Sequence, residues 1–153
     1  MLLSLSLGIL LLFTLPNPLN SCSCADFPTE KDGYCATSWI SKAKVLSKET
    51  DGLGLMMAYR LEHLDVIKGG DNGTLPEIMN TATQESACGQ TGFKVGKEYI
   101  FAGYSITNTS LVITFCDWRV PLKYINQSKL ELKPEWKKFV DSVKCPAPTT
   151  AAP

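Results

Sequence analysis

Six cysteines stand at positions 22, 24, 35, 88, 116 and 145, all of them downstream of an apolar N-terminal run. An even number of cysteines behind such a run implies disulfides formed in an oxidising compartment. Three cross-links restrict the possible folds of a short chain more than any hydrophobic pattern does. Spacing alone leaves about 15 pairings open.

The run at 1–15 contains only apolar residues, Ser, Thr and Gly, and Pro16, Asn17 and Pro18 follow it. It is too short to span a bilayer and reads as a signal peptide over 1–21, although its n-region has no Lys or Arg. A cut after Ser21 leaves bulky Leu19 at −3. A cut after Ala25 meets the small-residue rule better but lies farther from the apolar run and discards two cysteines. The reading adopted is Ser21, which makes Cys22 the first mature residue. Its amine nitrogen and carbonyl oxygen would then be separated by two carbons, the spacing of a five-membered chelate ring on a metal held by another protein. No other stretch is long enough to span a membrane, so a soluble, secreted protein is expected.

Lys+Arg and Asp+Glu both total 15, so no basic excess exists to neutralise phosphates, and nucleic acid is not an expected partner. At 153 residues one domain is expected. The segment 22–35 reads as irregular. A strand pattern starts at Trp39, turns at 49–54 and returns over 55–68 as a long hairpin. Further strands are expected over 78–87, 98–105 and 111–116, with 107–109 turning between the last two. Trp136, Phe139, Val140 and Val143 recur at helical spacing after Pro134 and Glu135, with Lys137, Lys138 and Lys144 off that face. Residues 146–153 read as a disordered Pro/Thr/Ala tail. Five strands and a C-terminal helix point to a mainly β fold, a small Greek-key barrel of the oligonucleotide-binding type.

His63 is the one histidine and reads as an ordinary strand residue, and no His-Glu-x-x-His, Gly-x-Ser-x-Gly or phosphate loop occurs, so an enzyme is not expected. Asn72, Asn108 and Asn126 head N-x-[ST] sequons and are candidate glycosylation sites.

Cys-Ser-Cys at 22–24, Cys-Ala-Thr-Ser-Trp-Ile-Ser-Lys-Ala-Lys at 35–44, Glu-Ser-Ala-Cys-Gly at 85–89 and Leu-Val-Ile-Thr-Phe-Cys at 111–116 together resemble the tissue inhibitors of metalloproteinases. The likeness is to their N-terminal, netrin-like domain and covers nearly all of 22–145. It implies the pairings Cys22–Cys88, Cys24–Cys116 and Cys35–Cys145, each worth roughly 4 kcal/mol in the chain-entropy model. It also implies that the amine and carbonyl of Cys22 ligate the zinc of a matrix metalloproteinase-like protease and expel its water. Ser23 would enter the pocket beside that zinc, with Cys24, Ala25 and the strip Glu85, Ser86, Ala87 and Cys88 flanking it in the cleft. Such an inhibitor carries no cofactor of its own and is expected to be monomeric.

Three features depart from the family pattern. Ala25-Asp26-Phe27-Pro28 stands where the family has His-Pro, and is about one residue longer. Asp26 brings a charge near the presumed cleft. The chain stops after the sixth cysteine, so the second domain of vertebrate members is not expected, as in invertebrate and nematode members. A second reading is a netrin-like binding module that acts on a receptor through its hairpin loop, with little or no protease inhibition.

Overall fold

The computed structural model describes residues 22–146 apart from 71 and 108, together with all but the side chain of Ser105. The expected signal peptide, the sequon at Asn108 and nearly all of the expected tail lie outside the described residues. Among them no helix is long and apolar enough to cross a membrane.

The fold is mainly β. Strands β1 (Trp39–Thr50), β2 (Met56–Lys68), β3 (Ile78–Ala82), β4 (Glu98–Gly103), β5 (Ser105–Ile106) and β6 (Leu111–Val112) form one sheet in the order β4-β1-β2-β3-β6-β5. β4 lies on one edge of that sheet and β5 on the other, yet only Tyr104 separates them in the chain. The two are halves of one interrupted strand, and this is what curls five strands into a partly closed barrel. β3 pairs with β6 in parallel, and the other pairings are antiparallel. Three register shifts along β1 against β2 add bulges, which deepen the coil of that long ribbon.

β1 is buried on both faces in its first half, so its sequence lacks clean alternation. Trp39, Ala43 and Val45 face the barrel interior with Tyr59, Leu61, Met79, Phe101 and Leu111. Ile40 faces the opposite way, into a second core with Tyr34, Ala102, Val120, Tyr124, Ile125 and Trp136. Helix α1 (Glu30–Ala36) and helix α2 (Pro134–Ser142) cover that second core. Cys35–Cys145 joins α1 to the residues just past α2.

Four expectations need correction. The segment 22–35 is not irregular throughout, because α1 occupies its second half. Thr29 Oγ1 accepts from the Asp32 amide at 3.1 Å, an N-cap that serves one of the helix's orphan donors. Tyr34 then docks edge-on against Trp136 and Phe139, with ring centroids 5.7 Å away in each case. β3 ends at Ala82 rather than running on to residue 87, since a 3-10 turn, Glu85–Ala87, takes the chain out of the ladder. The strand expected at 111–116 stops at Val112, where the Thr114 amide turns to the Asp117 carboxylate at 2.6 Å. The expected strand at 98–105 is interrupted at Tyr104 and runs on to Ile106. A small hairpin, β7 (Ile125–Asn126) with β8 (Glu131–Leu132), was not anticipated.

Candidate functional site

Three segments meet at one end of the barrel. The first is the extended strip from Cys22 to Phe27, in which Ser23, Cys24, Ala25 and Asp26 are all exposed. The second is the 3-10 turn Glu85–Ala87 with Cys88. The third is Phe115-Cys116. Disulfides Cys22–Cys88 and Cys24–Cys116 bind the strip to the other two. The Phe115 amide donates to the Cys88 carbonyl at 2.8 Å, which joins the second segment to the third.

Cys88 adopts a left-handed conformation, φ 59° and ψ 27°. That region is uncommon for a residue with a Cβ and persists where surrounding structure imposes it. Here the Cys88 amide donates to the Glu85 carbonyl at 3.0 Å, and the carbonyl of Cys88 and its sulfur are also engaged. Gly89 follows because a Cβ there would lie 2.0 Å from the Ala82 carbonyl oxygen. Glu85, Ser86 and Ala87 consequently project from a turn anchored at both ends, and all three are exposed.

Every residue expected in the cleft strip therefore lies on one edge. Among the described residues, no hydrogen bond engages the backbone nitrogen or carbonyl oxygen of Cys22. The Sγ atoms of Cys22, Cys88 and Cys116 lie within 4.8 Å of one another, but all three are in disulfides, which leaves no thiolate to hold a metal. His63 sits away from this edge. Its Nε2 lies 2.9 Å from the Pro76 carbonyl and its Nδ1 2.8 Å from Ser41 Oγ, and Ser41 is fully buried.

Sequence reasoning missed Phe115 as a surface residue. It is 58% exposed beside Cys116, with the Arg119 guanidinium 5.2 Å from its ring centroid. Leu111 and Ile113 are buried, so alternation would place Phe115 inside; it turns outward because the ladder has already ended.

Asp117 closes the turn that carries Cys116 and is buried. Burial pushes its carboxyl up to about 6, only partly offset by hydrogen bonds from the Thr114 and Tyr104 backbone. The folded state thus holds this proton more tightly than the unfolded chain. The resulting contribution is fully present below about pH 4 and is lost as pH rises through about 6. Asp117→Asn should flatten that part of the stability curve. Thermal melts of both proteins from pH 4 to 7 test this, and parallel curves would refute it.

A β-barrel whose extended N-terminal strip is stapled by two disulfides to one rim is the class this geometry defines. The family model for tissue inhibitor of metalloproteinase matches residues 20–145, and the chain belongs to that family. Among curated proteins it is similar to metalloproteinase inhibitor 2 of Canis lupus familiaris, 33% identical over 129 residues. The Rattus norvegicus and Homo sapiens proteins of that name are 33% and 32% identical over 129 residues. Each match covers 78% of this chain and 57% of the relative, so the chain spans little more than half the length of these relatives.

Proposed function

We propose that the mature protein is a secreted metalloproteinase inhibitor beginning at Cys22. The observation that carries this reading is the stapled edge: a half-buried Cys22 followed by exposed Ser23, Cys24 and Ala25, cross-linked to Cys88 and Cys116, in a chain of this family. In the proposal, the α-amine and carbonyl of Cys22 close a five-membered ring on the zinc of the target protease. They displace the water that serves as nucleophile in peptide hydrolysis. The zinc belongs to the protease, and inhibitors of this family supply no cofactor.

The chain's own part is to present these two atoms in a fixed place. Two disulfides and the Phe115–Cys88 hydrogen bond hold the strip before any partner arrives, so little entropy remains to be lost on entering a cleft. Ser23 is the exposed side chain between the two anchored cysteines and would enter the pocket beside the zinc. The strip Glu85 to Cys88 and the ring of Phe115 would border it. Ser23→Gly is expected to weaken binding unequally across a panel of metalloproteinases while the melting temperature stays put. Identical inhibition of every enzyme would place Ser23 outside the pocket.

Glycans at exposed Asn72 would sit on the loop between β2 and β3. Asn126 is half-buried in β7, with its Oδ1 accepting from the Ser128 amide at 3.2 Å.

A second reading, the receptor-directed module, rests on the tip of the β1–β2 hairpin. Leu53, Leu55 and Met56 are exposed there, Leu53 by 81%. The tip is tied to Thr83, whose amide donates to the Leu55 carbonyl at 3.0 Å. Titrating the secreted protein against a matrix metalloproteinase catalytic domain separates the readings. Inhibition supports the first, and its absence with Cys22 confirmed as N-terminal favours the second.

A further inference from the structure

The two disulfides of the edge touch each other. Cys116 Sγ lies 3.5 Å from Cys22 Sγ and 3.6 Å from Cys88 Sγ, the two atoms of the neighbouring bridge. Cys22 Sγ lies 3.9 Å from Cys24 Sγ. Four sulfurs from two bridges therefore form one cluster at the surface. Exposure within it is unequal: Cys24 is exposed, whereas Cys22, Cys88 and Cys116 are half-buried. Among the described residues, Cys35–Cys145 makes no such contact with another bridge.

We propose that this cluster is a thiol-exchange site with Cys24 Sγ as the point of attack, and that its substrates are small thiols. Exchange proceeds by a thiolate attacking a disulfide sulfur, and access decides which sulfur is reached. An incoming thiolate bonds to Cys24 Sγ, the Cys24–Cys116 bond breaks, and the electron pair stays on Cys116. That thiolate lies side-on to the neighbouring bridge, 3.5 Å from Cys22 Sγ and 3.6 Å from Cys88 Sγ. Freed from Cys24, it turns into line at Cys88, which the Phe115–Cys88 backbone hydrogen bond keeps beside it. It attacks there, the Cys88–Cys116 bond forms, the Cys22–Cys88 bond breaks, and Cys22 leaves as a thiolate that takes a proton from water.

Two disulfides enter this sequence and two leave it, one of them mixed, so no oxidant or reductant is consumed beyond the bound thiol. Cys22 can then attack the mixed disulfide at Cys24, 3.9 Å away, releasing the thiol and closing Cys22–Cys24. In both products the strip is cut loose from the barrel rim, while Cys35–Cys145 and both cores remain. If the edge is inhibitory, as proposed above, thiol exchange switches it off. That consequence rests on the inhibitory reading; the exchange itself does not.

The test uses the full secreted protein, brief exposure to reduced glutathione at pH 8, an iodoacetamide quench and non-reduced peptide mapping. The expected result is a Cys88–Cys116 bridged peptide, with Cys22 either alkylated beside a glutathione-bearing Cys24 or bridged to it. Alkylated Cys116 with Cys22–Cys88 intact would overturn the proposal, as would loss of Cys35–Cys145 at the same rate. In the double variant C24A/C116A, Cys22–Cys88 should outlast its wild-type counterpart at the same thiol concentration; equal loss would also overturn it. The mapping reads sulfur connectivity alone, so its outcome is independent of whether the protein inhibits any protease.

Discussion

A mature protein carrying one alanine ahead of Cys22 is expected to lose metalloproteinase inhibition by orders of magnitude while its fold persists. Zinc accepts a lone pair, and a terminal amine with pKa about 7.7–8.0 is neutral often enough to supply one. The added residue converts that amine to an amide, whose lone pair is delocalised, and pushes bulk toward the metal. Neither bridge is touched: Cys22–Cys88 and Cys24–Cys116 both depend on side chains. Carbamylation of the native amine should act in the same way. Inhibitor titrations with native and extended proteins, with circular dichroism as the folding control, decide the matter. Equal potency would rule out zinc chelation by the terminus.

The second large effect concerns the core rather than the edge. Trp39→Ala should cost about 3–5 kcal/mol of stability, the range for truncating a fully buried aromatic side chain. Trp39 is wholly buried at the start of β1 and is paired there with Gly103. A Cβ on Gly103 would stand 2.6 Å from the indole nitrogen and 2.6 Å from the Val112 carbonyl oxygen. The indole thus fills the place where β4 gives way to β5, the point at which the sheet curls over. All three disulfides survive the substitution, so the domain should still fold, with a melting temperature lower by something on the order of 10 °C. A shift of only a degree or two would show that the barrel closes without the indole.

Glycine is required at two close approaches, one in the core and one beside the edge. Gly103 admits the indole, and Gly89 lets the turn before it pass close to Ala82.

The long hairpin of β1 and β2 was legible because local signals were strong: β-branched and aromatic residues on either side of a Gly-rich turn. The C-terminal helix was legible for the same kind of reason, with Pro134 at its start and Trp136, Phe139 and Val140 on one face. The family likeness rested on short blocks around the cysteines, and those blocks are contiguous in sequence. Helix α1 had a local signal, Thr29 three residues before Asp32, that the cysteine-rich context obscured. What tertiary structure alone decided is where strands stop and what meets at the rim. β6 ends at Val112 because the Thr114 amide finds the Asp117 carboxylate instead of a ladder partner, and Phe115 faces solvent as a result. The interruption at Tyr104 that sends β5 to the opposite edge from β4, and the contact between two disulfides, bring together residues tens of positions apart. Periodicity reports only neighbours along the chain, so these features arise when the sheet curls and hydrogen-bonding groups choose partners across it.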